Sequence, residues 1–270
     1  MDVVLHIGAH RTGSTMVPQS VTIPITVQLN CGVALWCQHY LREIPEFHTM
    51  TQLFDNDMCP IDEKAANRLD KMISFIDFEV SQKSARGIHT LIFSEESFIG
   101  GMCNNSETGE FYPDVTFPFS VLDSLLPISP VRVAFGVREY GAVCTFAFHY
   151  QPQLGREVPD FERARSTLLN KKRGWPEVVN AASTVWSGVK FLMWQQKHLV
   201  VSSWQMCAQI MVFSADKIVI SSEKVNARKS TTARPIIFLS KERKTLPNRY
   251  NHYLRRTQSD ERSQWMGGAI

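Results

Sequence analysis

The sequence predicts an α/β protein, a three-layer α/β/α arrangement around a mostly parallel central sheet. Three observations predict it. Short apolar runs of β-type composition alternate with longer stretches of helical periodicity. The strand-like runs are nearly continuous in apolar residues, as strands buried on both faces are. The first of them passes directly into a turn rich in Gly, Ser and Thr.

Residues 3–7 (Val-Val-Leu-His-Ile) read as a short buried strand, and Gly8 to Thr15 follow as the turn. A strand–loop–helix unit would put a helix over 16–30, although Pro18, Pro24 and several β-branched residues disfavour one there. Residues 62–79 are an amphipathic helix, with Leu69, Met72, Ile73 and Ile76 at three- and four-residue spacing. Residues 88–93 form a second strand between Gly87 and Ser94, and 131–137 a third. Helices are predicted over 139–151, 160–170 and 176–186, the last opened by Pro176 in its first turn. Residues 210–213 and 217–220 are further β-type runs. With no internal repeat and no low-complexity linker, residues 1–270 read as one domain, in which 239–270 is a peripheral basic segment.

Composition narrows the class. Apolar residues make up 44% of the 270 and charged residues 20%, which excludes a disordered, collagenous or coiled-coil chain. The net charge of +3 hides an asymmetry. Residues 228–256 hold nine Lys or Arg against Glu242 alone, a local +8, and the rest of the chain is net −5. Such a distribution points to an anionic partner. No helix-turn-helix, zinc-finger or RNA-recognition signature accompanies the charge, so no nucleic acid is expected. Cysteines 31, 37, 59, 103, 144 and 207 form no C-x-x-C pair and match no zinc spacing. They read as reduced thiols of a cytoplasmic protein. Asp2 and the short apolar run after it do not make a signal peptide. No run reaches the ~18 apolar residues that a membrane span requires.

The strongest local signal is Gly8-Ala9-His10-Arg11-Thr12-Gly13-Ser14-Thr15. The frame G-x-x-x-x-G-S-T is P-loop-like, but Ser14 stands where an ATP-type P-loop carries lysine. The cation comes three positions earlier, at Arg11. Backbone N–H groups of such a turn, with a helix start behind it, cradle an oxyanion. The loop therefore reads as built for a phosphate-like group other than Mg·ATP.

The string His6-Ile7-Gly8-Ala9-His10-Arg11-Thr12-Gly13-Ser14-Thr15 resembles the 5′-phosphosulfate loop of bacterial-type sulfotransferases. These enzymes use 3′-phosphoadenosine-5′-phosphosulfate (PAPS) and release 3′-phosphoadenosine-5′-phosphate (PAP). Val131 to Arg138, followed by Glu139-Tyr140-Gly141, is similar to the family strand whose closing arginine contacts the 3′-phosphate. Ile92-Phe93-Ser94-Glu95-Glu96 resembles a strand-end Ser-Glu of bacterial members, and Val225-Asn226-Ala227-Arg228-Lys229-Ser230 a basic loop near the family's C-terminus. The family's serine eight residues after the arginine is Phe146 here.

The resemblance implies a P-loop nucleotide-binding-like fold, PAPS as cofactor, no metal, and a small-molecule or glycan acceptor. Arg11 would stabilise charge on the bridging and leaving oxygens, as an arginine fork does. His10, Thr12, Gly13, Ser14 and Thr15 would line the 5′-phosphate. Arg138, Arg228 and Ser230 would hold the 3′-phosphate and adenine end. Glu95 is the first candidate for the general base that an acceptor hydroxyl needs, with Glu96 and His10 as alternatives. The competing expectations are a P-loop nucleotide phosphotransferase and an inactive sulfotransferase-like scaffold, the latter favoured by Pro18 and Phe146. Gly100-Gly101 and Tyr112-Pro113-Asp114 read as a mobile segment beside the acceptor or an ordinary surface loop. The tryptophans at 175, 186, 194 and 204 read as core or interface, and 241–256 as a solvated helix face.

Overall fold

A computed structural model describes residues 1–8, 31–48, 54, 63–101, 105, 108, 110–150, 160–170, 173–195 and 242–266. Six strands form one sheet: β1 Asp2–Gly8, β2 Val33–Cys37, β3 Thr90–Ser94, β4 Arg132–Val137, β5 Lys190–Gln195 and β6 Ser263–Trp265. Their order is β2-β3-β1-β4-β5-β6, and all five pairings are parallel. The three strands read from the sequence are present within a residue or two of their expected bounds. The expected helix over 16–30 and the runs at 210–213 and 217–220 lie outside the described residues.

Both faces of the sheet are buried, which is why its strands read as unbroken apolar runs. Val3, Leu5, Ile7, Leu91, Phe93, Val133, Phe135, Phe191 and Met193 belong to the main hydrophobic cluster. On the opposite face Val4, His6, Ile92, Ser94, Ala134, Leu192 and Trp194 are buried as well. The alternation follows from the two-residue period of a strand.

The helices are α1 Gln38–Glu43, α2 Glu63–Ala85, α3 Thr116–Leu125, α4 Tyr140–Tyr150, α5 Phe161–Asn170, α6 Trp175–Val185 and α7 Glu242–Gln258, with a 3₁₀ turn at Glu96–Ile99. α2 packs on α3, α3 on α6, α6 on α7, and α7 on α4 and α5. The stripe expected on α2 is the one it buries: Met72 and Ile76 are in the core, with Leu69 and Ile73 packed against it. The helix runs six residues beyond its expected end and stops at Gly87, whose φ of 82° suits glycine. There the N–H groups of Gly87 and Ile88 reach back to Ser84 and Lys83 carbonyls. α6 begins as Pro176 predicts, and Glu177 Oε2 accepts from the Gly174 N–H at 2.7 Å to close its first turn. Trp186 at its far end donates from Nε1 to Asp123 Oδ1 of α3 at 2.8 Å.

The basic C-terminal segment is built into this frame. Leu246, Tyr250 and Leu254 of α7 are buried, and β6 pairs with β5. Arg255 and Arg256 lie on the exposed side, as a solvated helix face requires. Arg249 turns inward and donates to the Leu169 carbonyl at 2.7 Å, in the last turn of α5. Cations suit that end of a helix.

Candidate functional site

Strand order locates the crevice. From β1 the chain crosses to β2 at one edge, whereas from β4 it proceeds to β5 on the other side. β1 and β4 are neighbours whose onward connections diverge, so a crevice opens outside their carboxyl ends. Gly8 closes β1 and is register-paired with Gly136 of β4, so neither strand carries a side chain at that pair. Past Gly8 the chain enters the Gly/Ser/Thr turn. Its candidate residues His10, Arg11, Thr12, Gly13, Ser14 and Thr15 lie outside the described residues, as do Arg228 and Ser230.

Arg138 and Glu139 follow β4 directly. Arg138 is half-buried, and its carbonyl accepts from Trp175 Nε1 at 2.9 Å. Glu139 folds over the start of α4, accepting from Gly141 N–H at 2.8 Å and Ala142 N–H at 2.9 Å. A carboxylate there satisfies N–H groups that a helix start leaves open and opposes its dipole. Phe146 lies in α4, but its side chain is outside the described residues.

On the other side of β1, β3 ends at Ser94 and Glu95 follows, at the strand end where the sequence puts it. Its side chain is 1% exposed. Oε1 accepts from Gln38 Nε2 at 3.3 Å, Arg42 Nη2 at 3.1 Å and Ser97 N–H at 3.1 Å. Oε2 accepts from Arg42 Nε at 3.2 Å. The Ser97 bond caps the 3₁₀ turn that follows. Glu96 begins that turn and is half-buried.

Arg42 and Gln38 are the residues that sequence reasoning missed. Both sit on α1, directly after β2. The apolar run Val-Ala-Leu-Trp-Cys between Gly32 and Gln38 is the signal that would have located that strand end.

Beneath the rim, His6 faces the buried side of the sheet away from the main cluster. His6 Nδ1 is 2.7 Å from Ser94 Oγ on the neighbouring strand. Among the described residues, its other ring nitrogen, Nε2, has no hydrogen-bond partner, and neither does Trp194 Nε1 beside it. Burial pushes the imidazole down to about 4, so it is neutral at pH 7.

The segment between the 3₁₀ turn and α3 is held rather than loose where it is described. Tyr112 is buried against Phe111 and Trp175 and takes a left-handed φ of 47°. Its N–H donates to Asn105 Oδ1 at 2.7 Å, and Phe111 carbonyl accepts from Arg173 Nε at 2.9 Å. This corrects the expectation of an ordinary surface loop at Tyr112, because its ring is buried among aromatics. Trp175, Trp186 and Trp194 are core residues, and Trp204 is outside the described residues. Among the described residues, Cys31, Cys37 and Cys144 are free thiols. No group of three or more His, Cys, Asp or Glu among those residues is arranged to hold a metal ion. No described helix is long and apolar enough to cross a membrane.

No protein-family model matches the chain, and no curated protein does. Among solved structures, the chain is similar to a sulfotransferase from Alicyclobacillus acidocaldarius, at 11% identity and a TM-score of 0.47. The match covers 95% of this chain and 94% of that one.

Proposed function

We propose that the chain is a cytoplasmic, metal-independent sulfotransferase that moves a sulfuryl group from PAPS to a hydroxylated acceptor, with carbohydrates as the acceptor class. The observation that supports this reading is the convergence of three segments distant in sequence. Glu95, the start of the Gly8 turn and Arg138 stand at the carboxyl ends of the adjacent strands β3, β1 and β4. These are the segments that carry the resemblance in sequence. The rim suits an anionic nucleotide, because Gly8 and Gly136 leave room for close approach and Arg138 supplies a cation beside it.

PAPS supplies the activated sulfuryl group. Transfer forms a bond from the acceptor oxygen to sulfur and breaks the bond from sulfur to the bridging oxygen, releasing PAP. Little covalent work falls to the protein, so positioning and charge stabilisation dominate, as in phosphoryl transfer. Arg11 offsets charge on the leaving oxygen. His10, Thr12, Gly13, Ser14 and Thr15 line the 5′-phosphate. Arg138, Arg228 and Ser230 hold the 3′-phosphate and adenine end. Glu95 takes the acceptor's proton.

A specific observation favours a second reading, a nucleotide-binding scaffold without turnover. Glu95 is buried with both oxygens engaged, and Glu139 already fills the first N–H groups of α4. Titrating PAP and Mg·ATP separately while following thermal unfolding separates the readings. A ligand of the native state at 100 times its Kd adds about 2.7 kcal/mol of stability. Stabilisation by PAP but not Mg·ATP, with PAP released from PAPS in EDTA, is the expected result. Stabilisation by Mg·ATP alone overturns the proposal, and PAP binding without turnover of any hydroxylated acceptor selects the scaffold.

A further inference from the structure

We infer that Arg42 is a positioning residue for the base Glu95, and that Glu95 Oε2 is the oxygen that receives the acceptor's proton. The inference rests on the sulfuryl-transfer reading. Arg42 lies in the last turn of α1, the helix that β2 delivers to the edge of the crevice. Its guanidinium meets both oxygens of Glu95, Nη2 on Oε1 at 3.1 Å and Nε on Oε2 at 3.2 Å. A two-point contact of this kind fixes the carboxylate plane as well as its position.

The two oxygens are not equivalent. Oε1 takes three donors: Arg42 Nη2, Gln38 Nε2 and Ser97 N–H. Among the described residues Oε2 takes only Arg42 Nε. Each carboxylate oxygen offers about two acceptor positions, so among the described residues Oε1 is filled and Oε2 keeps one position open. The Ser97 bond ties the side chain to the 3₁₀ turn, so rotating Oε1 into the reacting position breaks that cap.

The charges are also unevenly exposed. Arg42 is 48% exposed and Glu95 1%. The guanidinium thus keeps its hydration on one side while compensating a carboxylate that would otherwise be buried alone. On this inference, removing it misaims the base. A misplacement of about 1 Å at a reacting group costs on the order of 100-fold in rate.

The test uses the full chain, PAP as binding probe and PAPS turnover to PAP, with water or a hydroxylated sugar as acceptor. Arg42→Gln is expected to keep the wild-type stabilisation by PAP and the wild-type KM for PAPS, and to lower kcat roughly 10- to 100-fold. Arg42→Lys restores part of that loss. Because Arg42→Gln strands a buried carboxylate, the Arg42→Gln/Glu95→Gln double variant keeps the test valid if the single variant unfolds. Its turnover should match Glu95→Gln alone, since the two residues act as one unit. Wild-type kcat in Arg42→Gln, or losses that multiply in the double variant, overturns the inference and leaves the sulfuryl-transfer reading standing. A wild-type protein that neither binds PAP nor turns over PAPS overturns both.

Discussion

His6 stacks on Trp194 across an intervening strand, with ring centroids 5.3 Å apart and planes 30° apart. β4 lies between them and carries Ala134 opposite His6 and Gly136 opposite Trp194. Two small residues on the middle strand let two large rings meet over it. On the strands His6 lies two residues before Gly8 and Trp194 is level with Gly136, and the imidazole of the stack is neutral and desolvated.

Acid should therefore weaken the fold through His6. The imidazole is held at about 4 in the native state, against 6.5 in an unfolded chain. Between those values the unfolded state binds more protons, so stability is complete above pH 6.5 and falls as pH drops toward 4. The loss should reach about 2 kcal/mol by pH 5. Urea unfolding of wild type and His6→Phe at pH 7.5 and 5.0 measures it. An equal pH slope in the two proteins would show that His6 is not the buried neutral group responsible.

Tyr140 anchors the start of α6. Its hydroxyl oxygen accepts from the buried Trp175 N–H at 2.9 Å. Tyr140→Phe leaves that donor without a partner, at a cost of about 1–3 kcal/mol. Equilibrium denaturation should show a lower midpoint at unchanged slope, and an unchanged midpoint would mean that another acceptor replaces the hydroxyl.

Glu139 caps α4 with two backbone bonds. Glu139→Ala should cost about 1 kcal/mol of stability. PAP affinity should not fall with it, because the carboxylate repels rather than holds a phosphate. Isothermal titration gives the second number, and a weaker PAP complex would assign Glu139 to ligand binding.

Gly32 opens β2 with φ of 64°, and a Cβ there would run into the His89 ring. Its carbonyl accepts from both His89 and Thr90 N–H groups at the start of β3. Gly32→Ala should destabilise the β2–β3 edge by more than the roughly 1–2 kcal/mol of a left-handed alanine. Thermal unfolding near the wild-type midpoint would rule out the close approach.

Arg138→Ala should weaken PAP binding about 10- to 100-fold, the range of a charge-assisted contact to phosphate. Adenosine 5′-phosphate, which lacks the 3′-phosphate, should lose nothing on the same substitution. Equal losses for both ligands would detach Arg138 from the 3′-phosphate.

Three of the central strands were legible: Val3 to Ile7, Leu91 to Phe93 and Val133 to Val137 are nearly unbroken apolar runs buried on both faces. β5 was not read, although Phe191 to Trp194 are buried on both faces as well. α2 and α6 were legible because periodicity, Gly87 and Pro176 mark their faces and ends locally. β2 and β6 were not, being a five-residue and a three-residue edge strand whose pairing partners lie far away in the chain.

At the site, the local pattern establishes that Glu95 follows one strand end and Arg138 another. It says nothing of Arg42, which reaches Glu95 across 53 residues of chain, or of Trp194 against His6. Periodicity reports which side of an element is apolar, a property of neighbours in sequence. Which polar groups meet depends on strand order, and that is settled by crossover connections and burial of the whole sheet. The residue types and their strand ends are thus local information, whereas the grip on Glu95 and the stack of His6 on Trp194 exist only after β2, β3, β1, β4 and β5 have assembled side by side.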